Sequence, residues 1–378
     1  MPPAHLTTLS GIVSPLLTWY RTNARDLPWR KTRDPYPIWV SEVMLQQTRV
    51  AAVLGYYARF LTAFPTVGAL ADAPEEILLK QWEGLGYYSR ARNLQRAARL
   101  VAMTMEGRFP DTYDGLLALP GVGDYTASAV ASAAFGLREP AVDGNVLRVF
   151  TRLTDCHDDI ADSGTKKAVR AQIGAVMPKE PEDIRIFNQA LMELGAVVCV
   201  PGGPPKCHLC PLMEQCLGRT RGTAERLPVK SPKKARRIEE KTVFLFLRGE
   251  EIALRKRPEG GLLAGLWEFP NAEGALDETA AADQCARWAI SPRAWKRRLT
   301  AKHIFSHVEW HMTCYVMEVF GSGPENFFWA NGPALDRLAV PSAFARLKEE
   351  AEAALKESGG GKQLEGGLVH GLDGGACI

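Results

Sequence analysis

The sequence predicts an all-helical domain joined to a smaller α/β domain. Three observations carry that expectation. Apolar residues recur at helical spacing through most of residues 10–195. A basic stretch with two prolines, 221–238, then interrupts the pattern, and beyond it the apolar runs become short and strand-like. The chain has 378 residues, which suits two domains at roughly 100–200 residues each. The expected division is 1–220 helical, 221–239 linker, 240–345 α/β, and 346–378 a helix running into a glycine-rich tail.

In the first part, Trp39 to Val50 places Val40, Val43, Met44 and Gln47 on one helical stripe. Tyr88 to Met105 has Leu94, Ala97, Ala98 and Val101 on one face, and groups Arg90, Arg92, Arg96 and Arg99 on the same helix. Gly121 and Gly123 break the pattern after Pro120, and a helix of small residues, Thr126 to Phe135, follows. Further helices are expected at 143–153, 165–177 and 182–195. In the second part, Lys241–Arg248 and Glu251–Lys256 flank Gly249-Glu250, a hairpin signature. Trp310–Phe320 is rich in strand formers, with Met312, Cys314, Val316 and Glu318 on one side of its alternation. Asp277–Ala289 and Ser342–Leu355 have helical patterns. Residues 358–378 are glycine-rich and read as disordered.

Lys and Arg number 46 against 43 Asp and Glu, a net charge of +3. That total excludes a polybasic scaffold but not a nucleic-acid partner, because local patches decide binding. The segment 221–238 has seven Lys/Arg against one Glu. It alone exceeds the net charge of the chain and would track phosphates. No apolar run reaches the 18 or more residues of a membrane span, and Met1–Ser10 lacks the pattern of a secretory signal. A bacterial cytoplasmic protein with no membrane contact is expected, with an organelle or nucleus as the open alternative.

Four of the eight cysteines cluster as Cys199-x7-Cys207-x2-Cys210-x5-Cys216. Soft thiolate donors at loop spacing select zinc or an iron–sulfur cluster, and the spacing alone leaves the two open. Leu119-Pro-Gly-Val-Gly123 lies between helical patterns. Glycines there allow close backbone approach, and N–H groups at the mouth of the next helix suit a phosphate. The bland alternative is an ordinary helix–helix turn. Asp143, in Val142-Asp-Gly-Asn-Val146, sits where a helix N-cap belongs. Glu42 falls inside an apolar helical stripe, where burial raises a carboxyl's pKa and suits it to donate a proton near neutrality.

Together the motifs SEVMLQQT (41–48), WEGLGYYSRARNL (82–94), LPGVGDYTA (119–127), VDGNVLRV (142–149), the four cysteines, LWEFP (266–270) and FSH (305–307) resemble the helix–hairpin–helix DNA glycosylases that hold an iron–sulfur cluster. The likeness is closest to their adenine-specific, MutY-type branch and spans about residues 10–345. One departure is the first cysteine interval, seven residues where the family has six.

The resemblance implies a helix–hairpin–helix catalytic domain and a Nudix-like second domain. It favours a 4Fe–4S cluster over zinc on Cys199, Cys207, Cys210 and Cys216. It implies double-stranded DNA with adenine opposite 8-oxoguanine or guanine as substrate. Glu42 would protonate the departing adenine and Asp143 would stabilise the oxocarbenium-like sugar, with Tyr125 and Asn145 in support. Arg30 and Glu193 would line the adenine pocket. Gln46, Gln47, Leu85 and Tyr88 would enter or flank the gap left by the extruded base, and Gly121 and Gly123 would hold the DNA backbone. Phe305, Ser306 and His307 would recognise the 8-oxoguanine. Lyase relatives carry a lysine where this chain has Tyr125, and no lysine occurs between Lys80 and Lys166, so a monofunctional glycosylase is expected. The competing readings are an endonuclease III-like glycosylase/lyase and a non-catalytic DNA-binding iron–sulfur protein. A nucleotide pyrophosphohydrolase is disfavoured, because the helix at Glu278–Trp288 lacks the paired glutamates that hold its metal.

Overall fold

A computed structural model of the chain describes residue 9 and residues 11–232 and 235–360. It divides into two compact units, Met1–Gln81 with Tyr87–Lys233, and Trp82–Gly86 with Lys234–Ile378. No described helix is long and apolar enough to cross a membrane.

The first unit is helical throughout. Its elements are α1 (Val13–Asn23), α2 (Pro35–Leu45), α3 (Val50–Ala63), α4 (Val67–Asp72), α5 (Glu75–Gln81), α6 (Ser89–Thr104), α7 (Tyr113–Leu117), α8 (Asp124–Phe135), α9 (Gly144–Thr154), α10 (Ser163–Val176), α11 (Pro181–Val197) and the single turn α12 (Leu217–Thr220). Side-chain caps mark many starts. Asp34, Thr66, Thr112, Asp143 and Asp162 each accept a backbone N–H of the following turn, which satisfies one of the orphan donors there. One core joins Leu16 and Tyr20 of α1, Val146, Val149 and Phe150 of α9, and Phe187, Leu191 and Leu194 of α11.

One expectation is corrected here. The helix read as continuing to Val50 stops at Leu45, and Gln47 has a left-handed φ of 59°. The reason lies 44 residues away. Arg90 Nη1 donates to the carbonyls of Val43 (2.8 Å), Met44 (3.1 Å) and Gln46 (2.8 Å), capping the helix end that the local pattern would have extended. The arginine group on α6 has partners within the unit. Arg90 is buried, Arg92 pairs with Glu75 at 2.7 Å, Arg96 donates to Asn93, and Arg99 Nε donates to the Ala71 carbonyl at 3.1 Å.

The segment expected to be a linker begins in the first unit. Arg152 Nε donates to the Leu227 carbonyl at 2.9 Å, Ile160 N–H to Val229 O at 3.1 Å, and Ser231 N–H to Asp159 at 3.2 Å. Strand structure starts at Arg237.

The second unit is a mixed seven-stranded sheet with β1 (Arg237–Arg248), β2 (Glu251–Lys256), β3 (Trp267–Glu268), β4 (Asn271–Glu273), β5 (Ser291–Ile304), β6 (Val308–Phe320) and β7 (Phe327–Ala330). The main order is β3-β2-β1-β6-β5, with β4 on β1 and β7 on β2. The expected hairpin is present, with Arg248 opposite Glu251. β1 runs parallel to β6 in the register Val243 to Cys314 and Phe244 to Tyr315.

Alternate residues point to opposite faces, and both faces are covered. Val243, Leu245, Cys314 and Val316 pack with Phe344 of the turn Ser342–Phe344 and with Leu347 and Ala351 of α15 (Ala345–Gly360). Phe244, Phe246, Tyr315 and Met317 pack with Ala281 and Cys285 of α13 (Glu278–Arg287). Burial on both sides explains the unbroken apolar run in β1. A shorter helix, α14 (Gly332–Arg337), precedes α15.

The sequence reading has no strand at 291–304, yet β5 pairs with β6 along its length. Its side chains include Arg293, Lys296, Arg297, Arg298 and Lys302, so no apolar alternation announces it. Cross-strand pairs such as Lys296–Glu318 (2.7 Å) and Lys302–Glu309 (2.5 Å) supply the match instead. The glycine-rich tail beyond Gly360 lies outside the described residues.

Candidate active site

The first unit has an open cleft of about 1680 Å³, beyond the roughly 300–1,000 Å³ of a small-molecule pocket. Glu42 of α2, Tyr125 of α8, Asp143 and Asn145 at the start of α9, and Met192 and Glu193 of α11 all line it. Gln46, Gln47, Arg30, Gly121 and Gly123 line it too. Apart from the four cysteines and Tyr88, the sequence candidates of this unit therefore converge on one space. Tyr88 is 4% exposed and is absent from the cleft wall, and Leu85, 6% exposed, belongs to the second unit.

Glu42 Oε2 accepts the Tyr125 hydroxyl at 2.9 Å. Burial pushes its carboxyl up to about 7, and the neighbouring Asp143 charge adds to the rise; the Tyr125 bond and Arg30 oppose it. Asp143 is a true helix cap, accepting Val146 N–H at 2.8 Å. Its other oxygen accepts Asn145 Nδ2 at 2.7 Å. Burial raises Asp143 as well, but its two hydrogen-bond donors and Arg148 pull back. Two carboxyls thus share the cleft in contrasting surroundings. Glu42 is set to hold a proton, and Asp143 is hydrogen-bonded as an anion.

Several side chains escaped the sequence reading. Arg148 Nη2 donates to Asn145 Oδ1 (2.8 Å) and to Gly195 O (2.7 Å), and its Nε donates to Cys199 O (2.7 Å). Its place one turn after Asn145 on α9 was the available signal. Arg25 joins Arg30 on the fully buried Glu193, whose oxygens take Arg25 Nε, Arg25 Nη2 and Arg30 Nη2, each at 2.7 Å. Those guanidinium groups hold Glu193 at about 2 against the penalty of burial. Thr126 Oγ1 accepts Gln46 Nε2 at 3.2 Å. The Tyr125 hydroxyl meets Glu42 and Met192 and does not bond to Asp143, the partner expected for it.

The hairpin glycines differ in what they need. Gly121 has φ +75°, and a Cβ there would stand 2.5 Å from Asn93 Cβ. Gly123 caps α8 with ordinary extended backbone, and a Cβ on it would meet nothing within 4 Å. Internal packing therefore explains the first glycine. The second leaves the N-terminus of α8 bare for an outside group to approach.

Cys199, Cys207, Cys210 and Cys216 are free thiols that line one small pocket with Arg152, Met213 and Arg219. Burial, with the neighbouring thiols adding to it, pushes Cys210 up to about 12 and raises Cys216. Arg152 Nη1 donates to Cys199 Sγ at 3.3 Å. Four half-buried sulfur donors around one pocket form a soft donor set that fits a thiophilic metal centre. Among the described residues, no three His, Cys, Asp or Glu side chains stand close enough to hold one metal ion.

In the second unit, Phe305, Ser306 and His307 form the turn between β5 and β6, closed by Phe305 N–H on Val308 O at 2.8 Å. Phe305 packs edge-on against Trp310 and His303. Ser306 and His307 are exposed at the tip, with Oγ and Nδ1 3.2 Å apart.

The family description "HhH-GPD superfamily base excision DNA repair protein" matches residues 40–175, and "NUDIX domain" matches 242–350. The chain is 37% identical over 370 residues to the adenine DNA glycosylase of Homo sapiens, covering 82% of this chain and 67% of that one. It is 32% identical over 307 residues to the adenine DNA glycosylase of Buchnera aphidicola subsp. Baizongia pistaciae (strain Bp), covering 81% and 84%. The chain belongs to the adenine DNA glycosylase family. Its helical unit is also similar to the solved structure of a thermostable thymine-DNA glycosylase, at 31% identity and a TM-score of 0.51, over 57% of this chain and 98% of that one. The first family match lies in the first unit except for Trp82–Gly86, and the second family match lies in the second unit.

Proposed function

We propose that the chain hydrolyses the N-glycosidic bond of adenine in double-stranded DNA, where that adenine is mispaired with 8-oxoguanine or guanine, and leaves an abasic site in an uncut strand. The observation that carries this reading is the pairing of Glu42, a carboxyl held near neutrality, with Asp143 in one cleft. The base must leave the duplex to reach them, and a mispaired base leaves at least cost. Glu42 protonates the adenine ring, which turns a poor leaving anion into a neutral one. Asp143, steadied by Asn145 and through it by Arg148, sets negative charge beside the cationic sugar, following the two-carboxylate logic of glycoside hydrolysis. Glu42, then ionised, draws the proton from the attacking water.

The bare N-terminus of α8 at Gly123 suits a DNA phosphate, which fixes position without reading sequence. Phe305, Ser306 and His307 offer an aromatic face with hydroxyl and imidazole donors, chemistry suited to reading 8-oxoguanine opposite the target. The protein acts as a monomer on DNA, in a bacterial cytoplasm.

The assay is a duplex with a single 8-oxoguanine:adenine pair. Expected are free adenine and strand breakage only after alkali, and no adenine release would overturn the reading. A lyase reading has one observation in its favour, since Lys166 and Lys167 line the cleft. Borohydride in the same reaction separates the two. The hydrolase leaves no covalent DNA adduct, whereas a Schiff-base enzyme is trapped as one.

For the thiol pocket, Cys199, Cys207, Cys210 and Cys216 would hold a 4Fe–4S cluster. Four thiols lining one pocket supply a cluster's full ligand set, and the resemblance to the iron–sulfur glycosylases favours the cluster over zinc. When bound, such a centre supplies a thiolate-held brace and a redox-capable group. The purified protein should contain about four irons and four sulfides per chain. One zinc and no iron would overturn the assignment.

A further inference from the structure

The Tyr125 hydroxyl has one proton and two acceptors. Glu42 Oε2 lies at 2.9 Å and Met192 Sδ at 3.1 Å. A phenol can donate to only one of them at a time. We propose that Met192 is a positioning residue for the acid of the reaction proposed above, its thioether accepting the Tyr125 proton whenever Glu42 is protonated. The inference rests on that functional reading for its purpose but on the three-residue geometry for its content.

When Glu42 is ionised, its carboxylate is the stronger acceptor, and Tyr125 donates to it. When Glu42 holds a proton, Oε2 is a poorer acceptor, and the Tyr125 hydroxyl needs another partner or is left buried without one. Met192 supplies that partner. Tyr125 then turns its lone pairs toward Glu42, and the protonated acid is stabilised. A hydrocarbon at 192 would remove this choice. Tyr125 would keep donating to Glu42, which favours the carboxylate. The other charged groups facing Glu42 are Asp143 at the start of α9 and Arg30 of the Pro28–Arg30 turn, with Arg30 already paired to Glu193 of α11. Neither touches Met192 among the described hydrogen bonds, so they act as a constant background. Met192 itself reads from sequence as one more apolar residue at helical spacing, and it does pack on the helical core.

The test is Met192→Leu, a volume-conserving swap that keeps the packing and deletes the acceptor. The readout is infrared titration of the Glu42 carboxyl band in the full chain, assigned by its loss in Glu42→Gln. The midpoint should fall by about half a pH unit, roughly a threefold change in the ratio of protonated to ionised acid. Met192→Gln, whose amide oxygen accepts, should return it. In a Tyr125→Phe background, Met192→Leu should move nothing, because the shared proton is gone. An unchanged midpoint in Met192→Leu, a failure of Met192→Gln to restore it, or a shift that persists without the tyrosine hydroxyl would each overturn the proposal. The titration needs no turnover. Failure of the wild-type protein to release adenine would therefore sink the functional reading separately.

Discussion

Glu42→Gln should lower adenine excision by about 10²–10⁴-fold under single-turnover conditions, the span for loss of a general acid. Gel-shift affinity for the mispaired duplex should be retained, since the amide keeps the shape and can still accept from Tyr125. Near-wild-type excision would remove Glu42 from the chemistry. Two pH effects accompany the loss. In the wild type the protonated carboxyl is the active acid, so excision should decline as pH rises through about 7. The stability effect has the opposite consequence for the variant. A carboxyl raised from 4.5 to about 7 binds more protons folded than unfolded between those values, so its contribution to stability falls as pH rises across that window. Removing it should make the variant more stable than wild type near pH 8, by on the order of 3 kcal/mol. The gain should vanish below about pH 4, where both states are protonated. Urea melts at the two pH values measure this. A more stable and inactive protein is the mark of a strained functional group.

Asp143→Asn should be the second large effect, and it separates the helix cap from the chemistry. Asparagine accepts the Val146 N–H about as well as aspartate at an N-cap and gives up only the bond from Asn145 Nδ2, so the unfolding free energy should drop by no more than about 1 kcal/mol. Excision should still fall by about 10²–10⁴-fold, because a neutral amide sets no charge beside the developing sugar cation. Asp143→Ala should lose the cap as well and unfold about 1 kcal/mol more easily. If Asp143→Asn excised adenine at the wild-type rate, the residue would be a cap alone.

The candidate site was legible in proportion to how locally each residue's role is encoded. Glu42 was visible because a carboxylate within an apolar helical stripe contradicts its neighbours. The cysteines were visible by spacing, and Gly121 and Gly123 by the break they make between helices. Arg148 and Met192 were not. An arginine on an amphipathic helix and a methionine on a core face agree with their surroundings, and only their distant partners give them a role. Tyr125 was found but matched to Asp143, since sequence holds no record of where a phenol points. Arg90 was grouped with three other arginines because composition cannot tell a helix-capping guanidinium from a surface one.

The fold divides the same way. β1 was legible because burial on both faces writes an unbroken apolar run. β5 was missed because its identity lies in pairing with β6, including the ion pairs to Glu309 and Glu318.

By itself the sequence determined the fold class, the motif order, the cysteine spacing and the two candidate carboxyls. These follow from short-range periodicity, spacing and residue chemistry. Only the tertiary structure decided where α2 ends, which hydroxyl meets Glu42, and which guanidinium groups neutralise Glu193. Each of those depends on contacts between residues from 44 to 168 positions apart. Such contacts exist only once the helices have packed, and packing sets the burial and charge around each group, which no local pattern records.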